Sequence, residues 1–150
     1  MPLAALLSDD ATLLRAVAAF LAEGPASGIG LYRTASLDSA IALAAEAAPE
    51  HLSLAGRRAE RLRSRARNAG AVFTGGSTAP AFGDYVAGSN HVLPTGGSAR
   101  WASPLRVDDF VRWTTHVSAR DHAGEALHAA TALASYEGMT FHAASVEARR

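Results

Sequence analysis

GIGLYRTASLDSAIALAAEAAPEHLSL, residues 28–54, decides the fold class of this chain. Its first part, Gly28 to Tyr32, reads as a short strand. Ser36 offers a hydroxyl N-cap to a helix that carries Leu37, Ile41, Ala44 and Ala48 along one face. Pro49 follows, and His51 to Leu54 is a brief extended piece. Strand, helix and strand at these lengths are the repeating unit of an α/β layer with parallel pairing.

The pattern continues on both sides. Leu3 to Leu7 is a short apolar run that ends at Ser8-Asp9-Asp10, good N-cap residues for a helix with Leu13, Leu14, Val17 and Leu21 at helical spacing. That helix reaches Glu23, and Gly24-Pro25 stops it. Downstream, an arginine-rich helix is expected from about Gly56 to Asn68, ended by Gly70, and Ala71 to Phe73 reads as another strand. From Gly75 to Pro104 the chain is dominated by Gly, Ser, Thr and Pro and predicts no regular element. Loops of this length inside a compact domain are usually functional or disordered, and the aromatic and imidazole groups of this one favour order. Val107 to Val117 and Asp121 to Tyr136 then read as helices, with a short one near Ser145. The expectation is an α/β fold with a small Rossmann-like parallel sheet layer over residues 1–106, a pocket loop at 75–106 and a helical tail at 107–150.

Composition removes several chemistries. The 150 residues are 49% hydrophobic, enough for one domain with a modest core. Fourteen basic and 14 acidic residues give a formal charge of zero, so no global field favours nucleic acid or a membrane surface. Every basic residue is an arginine, which excludes a lysine Schiff base or lysine general base. Cysteine is absent, which excludes thiol catalysis, disulfides and thiolate metal sites. No basic leader and no spanning apolar stretch is seen, so a cytoplasmic protein is expected.

Few polar groups remain for chemistry. Glu50 and His51 are adjacent at a helix–strand junction; in extended backbone they would point to opposite faces and pair only if the junction bends. The bland alternative is a solvated glutamate beside a histidine packed at a strand start. Asp84 and His91 lie in the glycine-rich loop and could share a metal or anchor the loop by hydrogen bonds. His142 alone reads as a surface histidine, and His116, His122 and His128 receive no role. The run Arg57, Arg58, Arg61, Arg63, Arg65 and Arg67 spreads around its helix without aromatic platforms, so it reads as a solvated face and not as a nucleic-acid stripe. The two Gly-Gly-Ser turns, at 75–77 and 96–98, are not followed by the helix an anion-cradling loop needs.

Several short blocks together resemble histidinol dehydrogenase: APEHL at 48–52, NAGA at 68–71, GDYVAG at 83–88, NHVLPTGG at 90–97, SPL at 103–105 and Glu137-Gly through His142. The resemblance runs from the Leu-Ser-Asp-Asp near the N-terminus onward and corresponds to about the C-terminal third of that zinc- and NAD-dependent enzyme. It implies that Glu50 and His51 are an acid/base pair, the glutamate activating water and the histidine moving protons during alcohol oxidation. It implies zinc ligation by Asp84 and, across a dimer interface, by His142. His91 and Glu137 become substrate contacts, Glu137 suited to an amine, and Tyr85 and Asn90 join them in a loop that walls a small-molecule pocket.

The family's remaining zinc ligands, a Gln and a His, and its dinucleotide-binding part lie ahead of the first residue of this sequence. NAD is therefore not expected to bind this chain alone, and any zinc site formed by Asp84 and His142 would be incomplete. The preferred expectation is a homodimeric, non-redox enzyme. Glu50 and His51 would carry proton transfer in an isomerisation, elimination, hydrolysis or cyclisation of a small biosynthetic metabolite. The alternatives are one subunit of a split zinc/NAD-dependent oxidoreductase, completed by a partner chain, and a non-catalytic ligand-binding module.

Overall fold

The computed structural model describes residues 4–24, 28–118 and 124–149. Leu3, Pro25, Asp121 and His122, to which the sequence assigns element ends or no role, lie outside the described residues. Two compact units are formed, residues 1–111 and 112–150.

The first unit is α/β, with its strands paired in parallel. Strand β1 (Ala4–Ser8) pairs with β2 (Ile29–Arg33) in the register Leu6↔Leu31, and β3 (His51–Leu54) pairs with β4 (Ala71–Thr74) in the register His51↔Ala71 and Ser53↔Phe73. Helix α1 (Ala11–Ala22) makes the crossover between β1 and β2. Asp10 caps it, accepting from the backbone N–H groups of Thr12 at 2.8 Å and Leu13 at 3.2 Å. These two bonds to the ionised form hold the Asp10 carboxyl below its ordinary range.

Helix α2 (Leu37–Ala47) begins at Ser36, whose hydroxyl accepts from the Ser39 N–H at 3.1 Å. Its inner face buries Ala40, Ile41 and Ala44, and with Ala48, Leu54 and Phe73 these form the buried apolar core of the described residues. Small side chains dominate that set, which matches an apolar stripe of alanines at helical spacing.

Three expectations are corrected. The arginine-rich helix is broken into one turn, α3 (Arg57–Glu60), and a 3₁₀ turn over Arg63–Arg65. Like charges four apart, such as Arg57 with Arg61 and Arg61 with Arg65, oppose a continuous helix. Arg58 is drawn instead to Asp9, through a two-pronged pair with contacts of 2.6 and 3.2 Å, and Arg65 pairs with Asp38. The Asp9 carboxylate raises the Arg58 guanidinium further above its already high range.

The glycine-rich loop contains a short helix, α4 (Ala81–Tyr85), and a 3₁₀ turn at Ser98–Arg100. The Val107–Val117 helix is absent: a 3₁₀ turn covers Val107–Phe110, and Val111 is already extended at φ −116° and ψ 154°. The Asp109 carboxylate accepts from the Arg106 N–H at 2.6 Å, closing that turn locally. The β-branched Val111, Thr114, Thr115 and Val117 that follow have little helix propensity to extend it.

The second unit carries α5 (Gly124–Tyr136) and α6 (Thr140–Glu147). Gly138, at φ 73°, turns the chain between them, with the Met139 N–H donating to the Ala134 carbonyl at 2.8 Å. This is the glycine-centred stop that closes many helices. Among the described residues no helix is long and apolar enough to cross a membrane.

Candidate active site

The junction between α2 and β3 is bent, and the bend has a local cause. Ala48 adopts the left-handed conformation, φ 46° and ψ 63°, while only 1% exposed. A non-glycine residue there costs on the order of 1 kcal/mol and persists only where its surroundings enforce it. Pro49 and Glu50 then turn into β3, so two neighbours that would diverge in a straight strand approach each other. His51 Nδ1 stands 3.8 Å from Glu50 Oε1, with the side chains 33% and 42% exposed respectively. The separation is that of an ion pair and slightly beyond a hydrogen bond.

The far side of the imidazole has a different environment. His51 Nε2 is buried and has no hydrogen-bond partner among the described residues. An unpaired buried nitrogen is costly and rare, and in native proteins such a group often marks a reactive position. Nδ1, turned to the carboxylate, is therefore the side of the ring with a polar neighbour.

The imidazole also lies on Phe73, with ring centroids 5.7 Å apart and an interplanar angle of 24°. Phe73 in turn abuts Gly83: a Cβ at that glycine would fall 2.9 Å from two of the ring carbons. Asp84 follows Gly83 in α4, partly buried, and the Ser89 hydroxyl donates to the Gly83 carbonyl at 2.8 Å, closing the segment after α4.

A second close approach ties the loop to the junction. Gly70 donates to the Pro49 carbonyl at 3.0 Å, and Ala71 donates to the Glu50 carbonyl at 2.8 Å. A Cβ on Gly70 would meet the Glu50 carbonyl oxygen at 2.7 Å, Pro94 at 3.1 Å and Leu93 at 3.3 Å. Asn90 clasps the same loop: its amide NH₂ donates to the Leu105 carbonyl at 2.6 Å and its amide oxygen accepts from the Val92 N–H at 2.8 Å. Arg100 reaches the Glu46 carbonyl in the last turn of α2, a favourable place for a cation.

The candidate residues are therefore distributed unevenly. Glu50 and His51 form the junction, and Asp84 and Asn90 lie in the loop of the same 1–111 unit. His91 is exposed and Tyr85 is 83% exposed. Glu137, after α5, and His142, in the first turn of α6, are exposed members of the 112–150 unit. Among the described residues no three His, Cys, Asp or Glu side chains converge as a metal-binding group. A catalytic zinc takes three protein ligands with an open position, so the described residues of one chain do not by themselves fit it.

Sequence reasoning missed Phe73, Gly70 and Gly83 as parts of the site. Strand alternation held the signal for Phe73, because residues two apart share a face and Ala71 pairs with His51.

The family description for histidinol dehydrogenase matches residues 12–150. The chain belongs to the histidinol dehydrogenase family. It is 41% identical over 144 residues to histidinol dehydrogenase of Saccharolobus solfataricus, covering 96% of this chain and 36% of that protein. With the Thiocapsa roseopersicina histidinol dehydrogenase it shares 50% identity over 115 residues, 75% of this chain and 49% of the relative. The crystal structure of histidinol dehydrogenase from Elizabethkingia anophelis superposes with a TM-score of 0.76 at 28% identity, covering 97% of this chain and 36% of that one. The chain thus spans about a third to a half of the length of these histidinol dehydrogenases.

Proposed function

We propose that this chain supplies the proton-transfer half of a histidinol dehydrogenase-type active site, with the rest of the site contributed by other polypeptide. The observation that carries the reading is the Glu50–His51 pair, 3.8 Å apart, with the opposite imidazole nitrogen buried and unpaired. Oxidising an alcohol requires a proton to leave oxygen as a hydride leaves carbon. The His51 imidazole takes the proton on its accessible side, and the Glu50 carboxylate beside Nδ1 stabilises the imidazolium that results. Being half-exposed, Glu50 can also act as the base that draws a proton from water. Positioned acid/base groups of this kind contribute about 10²–10⁴-fold.

A bound nicotinamide would supply the hydride acceptor. Zinc, if completed by ligands from outside this chain, would be held by Asp84, with His142 supplied across a dimer interface. Polypeptide outside this sequence is the proposed source of the missing groups. Large apolar side chains left in water, such as Trp101 at 83%, Tyr136 at 91% and Phe141 at 88% exposed, fit a chain that associates.

A non-redox reading, with Glu50 and His51 catalysing proton transfer alone, is favoured by one fact: both residues lie in a single unit and need no partner to meet. Imidazole-resolved NMR of the purified chain, titrated with L-histidinol and followed by a search for NADH on adding NAD and zinc, tests the proposal. Histidinol should perturb the His51 resonances, and His51→Asn and Glu50→Gln should weaken that response. Millimolar histidinol that leaves His51 untouched would overturn it. Consumption of histidinol without NAD would favour the non-redox alternative.

A further inference from the structure

We infer that Phe73 is the positioning residue for His51: its ring is the fixed plate against which the proton-carrying imidazole is held. The inference rests on the acid/base reading of His51. The sheet register creates the contact, because β3 and β4 are parallel with His51 opposite Ala71, and Phe73 lies two residues further along the same face. That places the two rings diagonally across neighbouring strands, near enough for aromatic contact, at 5.7 Å and 24°.

What distinguishes this stack from ordinary core packing is that Phe73 is also confined by backbone at its ring edge. Its ring is only 8% exposed, and the backbone of Gly83 lies so close that one added methyl group would fall 2.9 Å from two ring carbons. The Ser89–Gly83 hydrogen bond, 2.8 Å, fixes that wall in turn. Phe73 therefore cannot retreat from the imidazole.

With one face of His51 blocked, rotation about its outer side-chain torsion is restricted. The ring is left with Nδ1 toward Glu50 and Nε2 inward. An aromatic face also tolerates the imidazolium, since a cation within about 6 Å of a ring centroid is attracted to it. An aliphatic residue of similar bulk would fill the space without supplying either the plane or that attraction.

The test separates positioning from stability. In the wild-type chain, nuclear Overhauser contacts between the His51 imidazole and Phe73 ring protons are expected, with ring-current-shifted imidazole resonances; their absence would overturn the inference even if every variant failed to fold. Phe73→Leu should abolish the ring-current shift and broaden the imidazole ¹⁵N signals as the ring samples new orientations. It should lower the proton-transfer rate about 10-fold with histidinol affinity unchanged, within the range a misplacement of ~1 Å can cause. A Phe73→Leu protein that is folded and keeps the wild-type imidazole spectrum would refute the positioning role. If the imidazole spectrum responds to Phe73→Leu while wild-type His51 ignores histidinol, the positioning role stands and the histidinol reading fails.

Discussion

Replacing Gly70 with alanine tests the architecture that holds Glu50. The added Cβ would sit 2.7 Å from the Glu50 carbonyl oxygen, a separation that real Cβ atoms do not tolerate, and 3.1 Å from the Pro94 ring. Neither neighbour can yield freely. The Glu50 carbonyl already accepts the Ala71 N–H at 2.8 Å, at the start of the β3–β4 pairing, and Pro94 is buried and cyclic. Overpacking of this kind costs about 1–3 kcal/mol. The opposing gain, from the reduced freedom of an unfolded alanine, is about 0.4–1 kcal/mol. A net destabilisation of about 1–2 kcal/mol is expected, which at the usual urea sensitivity of a small domain lowers the unfolding midpoint by about 0.5–1 M. The same variant should displace the backbone resonances of Glu50 and His51 and of the 92–95 segment. A Gly70→Ala protein with an unchanged or raised midpoint would show that the junction and the loop are not in the contact on which this account of the site depends.

Two further outcomes follow from the same geometry. Asn90→Ala removes both clasps on the loop, so it should cost about 1 kcal/mol in urea unfolding and raise the rate of limited proteolysis within residues 86–105 several-fold; unchanged cleavage would mean that other contacts hold the loop. Asp10 has its folded carboxyl depressed by two backbone N–H bonds, so its stabilisation is fully present above the ordinary carboxylate value of 3.8 and is lost as pH falls through the lower folded value. Asp10→Ala should therefore be less stable than wild type near neutrality, with the gap closing below about pH 4, and a gap that is constant with pH would contradict the cap.

Much of the first unit was legible because its rules are local. Ser36 followed by Leu37, Ile41 and Ala44 specifies a capped, one-faced helix wherever it is placed, and α2 starts at that cap and buries Ile41 and Ala44. The Val107–Val117 segment failed for the converse reason. Its apolar spacing suits a helix, yet its β-branched residues and the Asp109 bond to the Arg106 N–H favour a short turn, and a weak local preference decided the outcome. The arginine run shows tertiary pairing overriding periodicity, since its Arg58 and Arg65 are taken by carboxylates far away in the chain. Glu50 and His51 could be singled out from their residue types and their resemblance, but not their approach. A Pro-Glu-His turn could supply the bend, but the approach also depends on Ala48 entering a left-handed conformation that alanine rarely adopts, which the sequence does not announce.

The site as a whole is a set of local devices whose convergence is a long-range property. Glycine 70 lets the loop touch the junction, glycine 83 lets α4 touch Phe73, and the parallel register lets Phe73 touch His51; each is a close approach made by removing a side chain or by alternation along a strand. These contacts pre-set the His51 ring within the first unit. Glu137 and His142 belong to the other unit and stand exposed there. Variants at Gly70 and Phe73 should therefore alter the His51 imidazole spectrum of the purified chain, and an unchanged spectrum in both would mean that these contacts do not set the ring.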